Sequence, residues 1–281
     1  LGDDKIYGIE NPGYPKIAKI YDSMHVSYSA IDLDEHGVCI DSLEDHQIDI
    51  MHLSPSHHFP TGIITPISRR YELLGWASKD ENRYIIEDDY DSELRLGGKP
   101  IPTLQSIDVS DKVIYMNTFT KTLSSTVRIS YMVLPASLTE LFYKKLSFYS
   151  CTVSNFEQYT LARFMESGSF EKHINRLRNY YQNKRDAILE IFKTAPLDQY
   201  ITIKEEDSGV HFMMKLKTER TEIDILSDAK SKGIKLAPLS KYFVGQTSNM
   251  SFQNVYVMNY SSIDLEQLPL IFDALCHILI K

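Results

Sequence analysis

A lysine set among hydroxyls is the first candidate for chemistry in this sequence. Lys121 stands in Thr118-Phe119-Thr120-Lys121-Thr122-Leu123, directly after the apolar run Val113-Ile114-Tyr115-Met116. A second strand-like run, Tyr84-Ile85-Ile86, ends in Glu87-Asp88-Asp89-Tyr90-Asp91. If both runs are strands of one open sheet, amine and carboxylate meet outside the carboxyl ends of strands, where such sheets bind ligands. An amine that can form a Schiff base and a carboxylate that can keep a pyridine nitrogen protonated are what pyridoxal 5'-phosphate requires of a protein. Thr118, Thr120, Thr122, Ser124 and Ser125 add small donors, and Arg128 adds a guanidinium, a set suited to a phosphate monoester. The plainer alternative is a polar loop before the next strand and a solvated acidic turn at Asp88. Tyr90 lies two residues beyond Asp88, on the same side of an extended segment, and is placed to donate to a ring hydroxyl.

Three further motifs surround this pair. Ser54-Pro55-Ser56-His57-His58-Phe59-Pro60-Thr61-Gly62 follows a strand-like run at 48–53, and its prolines and glycine make it a shaped loop. The His57-His58 pair invites a metal, but no cysteine or further histidine stands at ligand spacing, so no metal site is expected. Asn11-Pro12-Gly13-Tyr14 is a turn signal whose Tyr14 serves either as a packing aromatic or as a flat platform for a cofactor ring. No Gly-x-Ser-x-Gly elbow supports a serine hydrolase.

The elements that must position these residues follow a strand–helix alternation. Strands are expected at 5–9, 26–31, 48–53, 84–86, 113–116 and 129–134, and helices at 16–24 and 68–78, the latter with Leu73, Leu74 and Trp76 inward. Such alternation implies crossover units and a mostly parallel sheet, hence an α/β fold. A helix begins near Leu138, and residues 154–193 are helical with a break at Gly168. Phe156, Tyr159, Leu161, Phe164, Ile174, Leu177, Tyr181, Ile188 and Ile191 give that stretch one apolar face. Beyond Pro196 come strands at 200–203, 210–216, 234–238 and 254–259, a turn at Asp207-Ser208-Gly209, and helices at 221–231 and 265–280, an α+β pattern. The expected division is a large cofactor-binding unit over residues 1–150, then bridging helices and a small C-terminal unit over 151–281.

At 281 residues the chain can bury a sizeable core, and a net charge of -8 argues against a broad nucleic-acid footprint on this piece. Cys39, Cys151 and Cys276 are scattered and odd in number, which suits buried thiols in a reducing cytoplasm rather than a disulfide framework. No apolar stretch approaches the length of a membrane span, so a soluble protein without membrane contact is expected. The opening Leu1-Gly2-Asp3-Asp4 carries no initiator methionine, and the chain reads as a piece of a longer one.

Taken in order, Asn11-Pro12-Gly13-Tyr14, the 54–62 loop, Glu87-Asp88-Asp89-Tyr90-Asp91-Ser92-Glu93, and Thr118-Phe119-Thr120-Lys121-Thr122-Leu123 with Arg128-Ile129-Ser130-Tyr131-Met132 resemble the aminotransferase-like domain of MocR-type regulators of the GntR superfamily. The resemblance implies a fold-type I, pyridoxal phosphate-dependent transferase fold with a smaller C-terminal α+β domain, in a homodimer with sites near the subunit boundary. It also implies DNA binding through an N-terminal winged helix-turn-helix absent from this chain, and a small amine or amino-acid effector. By motif position Lys121 would carry the Schiff base, Asp88 would pair with the pyridine nitrogen and Tyr90 would contact the ring oxygen. Tyr14 would stack on the ring, and Thr118, Thr120 and Arg128 would hold phosphate. Two departures accompany it. The family's remaining phosphate-binding loop should precede Leu1, and the C-terminal arginine that clamps a substrate carboxylate is missing from Val257-Met258-Asn259-Tyr260-Ser261-Ser262-Ile263. Lys16 could supply that charge instead, or the ligand is not a typical α-amino acid. An effector sensor, a true aminotransferase with Lys121 as general base, and a scaffold retained for dimerisation are the three functions this pattern admits.

Overall fold

The computed structural model describes residues 1–97, 101–204, 209–245 and 252–280. The chain begins with β1 (Tyr7–Asn11), α1 (Pro15–Ser23), β2 (Tyr28–Asp34), β3 (Gly37–Val38), α2 (Ile40–Asp45), β4 (Ile50–Leu53) and α3 (Ile67–Ser78). It continues through β5 (Tyr84–Asp89), α4 (Leu104–Ile107), β6 (Val113–Thr118) and β7 (Ser130–Val133). These strands form one seven-stranded sheet in the order β3-β2-β1-β4-β5-β6-β7. Its five central strands pair parallel, while β3 and β7 run antiparallel at the two margins. The parallel core follows from crossover connections, which return each strand to the same direction.

Helix α3 shows how sequence becomes packing. Leu73, Leu74, Trp76 and Ala77 are buried against Ile31, Met51 and Ile85 of the sheet. Each large side chain so buried contributes about 1.5–3 kcal/mol. Arg70, from the same helix, is fully buried and donates to the carbonyls of Thr65, Pro55 and Pro102. It thereby pins the 54–65 loop to the body of the sheet.

Helices α5 (Ala136–Leu146), α6 (Asn155–Glu166) and α7 (Ser169–Phe192) follow. Ser154 and Glu157 close a reciprocal capping box at the start of α6. The expected helical stretch breaks at Gly168, whose φ of +67° is a backbone state that favours glycine. The apolar face is only partly used. Ile174 and Ile188 are buried, whereas Phe156 and Tyr159 of α6 are exposed, because α6 lies against α7 with its outer side uncovered.

The last part has β8 (Ile201–Lys204), β9 (His211–Leu216), α8 (Glu222–Ser231), β10 (Val255–Asn259) and α9 (Leu268–Leu279). A three-stranded antiparallel sheet, β10-β9-β8, packs with α7, α8 and α9 around Phe212, Met214, Ile225, Leu275 and Ile278. The strand expected at 234–238 is not formed. That segment makes only an isolated bridge from Pro238 to Tyr256, since proline offers no N–H to extend a ladder. Of the expected 207–209 turn, Asp207 and Ser208 lie outside the described residues. The thiols also differ from expectation: Cys151 is exposed and Cys39 and Cys276 are half-buried, all three free. Among the described residues no helix is long and apolar enough to cross a membrane.

Candidate functional site

Alternation along β5 sorts its acids into two classes. The strand runs through Asp89, further than the apolar run alone indicates, because the carboxylates on one face are consumed by buried hydrogen bonds. Glu87 accepts from the backbone N–H groups of Leu104 and Gln105, both at 2.9 Å. Asp89 accepts from Tyr115 and Ser92 hydroxyls, each at 2.8 Å. Just past the strand, Asp91 holds the His57 imidazole at 2.8 Å. Asp88 points to the opposite face. It has no hydrogen-bond partner among the described residues, and the His52 Nε2 stands 3.8 Å from its Oδ2. His52 is itself oriented by the Tyr21 hydroxyl, 3.0 Å from Nδ1.

The parallel register pairs Asp88 with Met116, and the antiparallel register pairs Met116 with Met132 and Thr118 with Ser130. Those residues, with Asn117 and Tyr131, line a cleft of about 240 Å³ at the carboxyl edge of the sheet. The loop from β6 to β7 closes where the Phe119 N–H donates to the Ile129 carbonyl, which returns Arg128 to the vicinity of Thr118. Thr118 and Thr120 hydroxyls lie 2.9 Å apart. Lys121 and Arg128 are both exposed on this loop. The adjacent Thr122 is buried, its carbonyl 2.8 Å from the His173 Nε2 of α7, which fixes the loop beside the lysine.

The remaining candidates occupy neighbouring groups. Tyr90 stacks on His57 with centroids 5.9 Å apart, and its hydroxyl is 3.3 Å from His57 Nδ1. Burial, then Asp91, Asp88, Glu10 and Asp89, push its phenol well above the ordinary value, so it remains a proton donor. Tyr14 is exposed at the start of α1, its ring edge-on to Phe59 at 5.7 Å. It lines a second hollow with Glu10, His52, Ser54, Phe59 and Val244. His52 therefore joins the hollow to the Asp88 cleft. Lys16 Nζ sits 5.9 Å from the Tyr14 ring centroid.

Sequence reasoning missed a buried cluster. His211, at the head of β9, stacks on His57 with centroids 4.3 Å apart and an interplanar angle of 25°. With Asp91 these rings present ligand-type atoms within 4.8 Å of one another. Nearly parallel rings do not point at a common ion, because a metal lies in the plane of each imidazole it binds. The cluster is instead a stack across the two sheets. Burial, followed by His57, His58 and Lys121, drives His211 well below the usual histidine range. Burial, with His57 again next, takes His58 to about 3. Only pairing across a long sequence separation reveals this arrangement, and no local spacing signals it.

The unspent Asp88 carboxylate lines a cleft of ring-sized volume, and an amine, hydroxyls and a guanidinium stand on the loop that leaves β6, a set suited to a phosphorylated pyridine; Thr118 lines the cleft, whereas Thr120, Lys121 and Arg128 are not among its lining residues. Residues 9–263 match the family described as aminotransferase class I and II. This chain belongs to that family. The aminotransferase-family chain is 40% identical over 233 residues to an uncharacterized HTH-type transcriptional regulator, YdeL, of Bacillus subtilis (strain 168), covering 83% of this chain and 50% of that protein. It is 29% identical to the "Probable rhizopine catabolism regulatory protein MocR" of Rhizobium meliloti over 94% of this chain and 52% of that one. It thus spans about half the length of these curated relatives. A solved kynurenine aminotransferase of Pyrococcus horikoshii, in complex with PMP, superposes with a TM-score of 0.80 at 24% identity, over 98% of this chain and 69% of that one. That likeness bears on the fold, a mostly parallel sheet of the fold-type I aminotransferases.

Proposed function

We propose that this chain is the pyridoxal phosphate-binding, effector-sensing part of a GntR/MocR-type transcriptional regulator. Its large cofactor-binding portion is residues 1–150, and bridging helices and a small unit make up 151–281. The carrying observation is that Asp88 alone among the clustered acids of β5 faces an open cleft with its hydrogen-bonding capacity unspent. When bound, the cofactor supplies an aldehyde that condenses with amines and a pyridine ring that withdraws electrons. The chain's own residues do the rest. Lys121 Nζ would hold the cofactor, Asp88 would face its pyridine nitrogen and favour the protonated form, and His52, 3.8 Å from Asp88, would keep that carboxylate in place. Tyr90 would donate to the ring oxygen, Tyr14 would cover a ring face, and Thr118, Thr120 and Arg128 would hold the phosphate. The regulator acts as a homodimer in the cytoplasm and contacts DNA through a winged-helix domain outside this chain. A small amine or amino acid is the signal, acting by favouring one arrangement of the regulator over another.

The test is the visible absorbance band of lysine-bound cofactor. Adding pyridoxal 5'-phosphate to the purified protein should generate the band, and Lys121→Ala should abolish it. Asp88→Asn should keep the band and change its response to pH. No band in the parent protein refutes the proposal. Sustained accumulation of a keto acid from an amino acid would replace the sensor with a catalytic aminotransferase.

A further inference from the structure

A second cavity lies across β5 from the Asp88 cleft. It measures about 130 Å³, and its polar walls include Ser56, Arg70, Asp89, Arg95 and Thr103. Successive residues of a strand face opposite sides, which sends Asp89 to this cavity and Asp88 to the cleft. The space suits several waters or one small polyatomic ion.

Hydrogen bonds within the walls leave a defined set of groups for an occupant. Arg70 directs its nitrogens to the carbonyls of Thr65, Pro55 and Pro102 and to Glu87, so it offers the cavity charge rather than a fork. Arg95 donates only its Nε–H, to the Gly97 carbonyl at 2.9 Å, and no carboxylate pairs with it among the described residues. Its terminal nitrogens are open. The Ser56 hydroxyl has no partner among the described residues, and Thr103 Oγ1 accepts the Ser106 N–H at 3.0 Å, which leaves its own O–H to donate. Both hydroxyls that reach Asp89, from Ser92 and Tyr115, fall on Oδ2, so Oδ1 remains as an open acceptor. Burial lowers the Arg70 pKa against the pull of Glu87 and Asp89, and the like charge of Arg95 adds to the fall, so the two guanidiniums sense each other. An anion between them relieves that repulsion. An ammonium ion would bring three N–H groups to a single free carboxylate oxygen, whereas a protonated oxyanion brings one O–H to it and acceptors to the donors.

We propose that the cavity binds free inorganic phosphate: the Arg95 guanidinium and the Ser56 and Thr103 hydroxyls donate to its oxygens, and its P–OH donates to Asp89 Oδ1. The site is separate from Thr118, Thr120 and Arg128 and stands independently of the cofactor reading. Inorganic phosphate keeps a P–OH at about pH 8. Sulfate has none, and a phosphate monoester, with a second pKa of about 6, has lost its own, so either would set an oxygen against the Asp89 carboxylate.

Calorimetry at about pH 8 tests it, on protein carrying one equivalent of pyridoxal 5'-phosphate and on cofactor-free protein. Phosphate should bind at least about tenfold more tightly than sulfate or glycerol 3-phosphate, a difference of about 1.4 kcal/mol. Arg95→Gln should weaken phosphate by about tenfold or more, and Ser56→Ala severalfold, while Arg128→Gln should leave it in place. Asp89→Asn should narrow the preference over sulfate. Absence of phosphate binding, equal binding of sulfate, or tighter binding of glycine to cofactor-free protein overturns the proposal. So does phosphate binding that Arg128→Gln removes and Arg95→Gln spares, which would put the anion beside Thr118 instead. Ser56→Ala and the comparison of anions on the parent protein decide the matter even if Arg95→Gln or Asp89→Asn does not fold.

Discussion

Replacing Glu10 by glutamine should stabilise the protein at alkaline pH, by an amount its surroundings let us estimate. The Glu10 side chain is 9% exposed. Burial raises its pKa from 4.5 to about 8, opposed by the Ser54 N–H it accepts and assisted by Asp88. His58 Nε2 lies 3.6 Å from Glu10 Oε2. Because burial also drives His58 to about 3, the contact joins two neutral groups at neutral pH. The stability that comes from keeping Glu10 protonated is fully present below pH 4.5 and is lost as pH rises through 8. From pH 5.5 to 8, at about 1.4 kcal/mol per unit, the loss amounts to about 3 kcal/mol as an upper figure. Glu10→Gln keeps an acceptor for Ser54 and removes the ionisation. Urea unfolding followed by the fluorescence of Trp76, the single and fully buried tryptophan, measures it on cofactor-free protein. Glu87, whose pKa is also raised, to about 7, tilts both proteins in the same direction, so the informative quantity is their difference. The variant should gain on the parent steadily between pH 5.5 and 8. A difference constant to within about 0.5 kcal/mol across that window would refute the assignment of a protonated Glu10.

Other substitutions test the scaffold. Arg70→Ala strips Glu87 of its only ion-pair partner among the described residues and frees three carbonyls, so urea unfolding should show a loss of about 3–5 kcal/mol. Gly13→Ala would place a Cβ 2.2 Å from the Glu10 carbonyl oxygen, a backbone atom that cannot turn aside. It should disorder the Tyr14 turn and weaken cofactor retention by tenfold or more (about 1.4 kcal/mol), as read by absorbance after dialysis. Ser154→Ala removes the α6 capping box and should cost about 1 kcal/mol of thermal stability without altering cofactor binding.

Much of the scaffold was legible because periodicity and chemistry coincide in it. Leu73, Leu74 and Trp76 sit inward as their spacing indicates, and the strand that ends near Asp88 pairs in parallel with the strand that leads into the Lys121 loop. Short elements escaped notice: β3 is only two residues and α2 six, too brief for a period to register. Residues 234–238 look apolar enough for a strand, but their role is to wall a cluster rather than to join a ladder. Within the site, the separation of Asp88 from Glu87, Asp89 and Asp91 is invisible in the string of acids. It arises from the facing partners Tyr115, Leu104 and His57, none adjacent in sequence. The pairing of His57 with His211 has the same origin, since each histidine alone has an unremarkable setting.

The outermost strand of the large sheet has a practical consequence. Among the described residues strand β7 pairs on one side only, and Tyr131, Met132 and Val133 along it are exposed. Unpaired amides flanked by such side chains can template the addition of another extended segment. Concentrated samples of this chain should therefore scatter light through edge-to-edge accretion, and a lysine at position 132 should keep them clear.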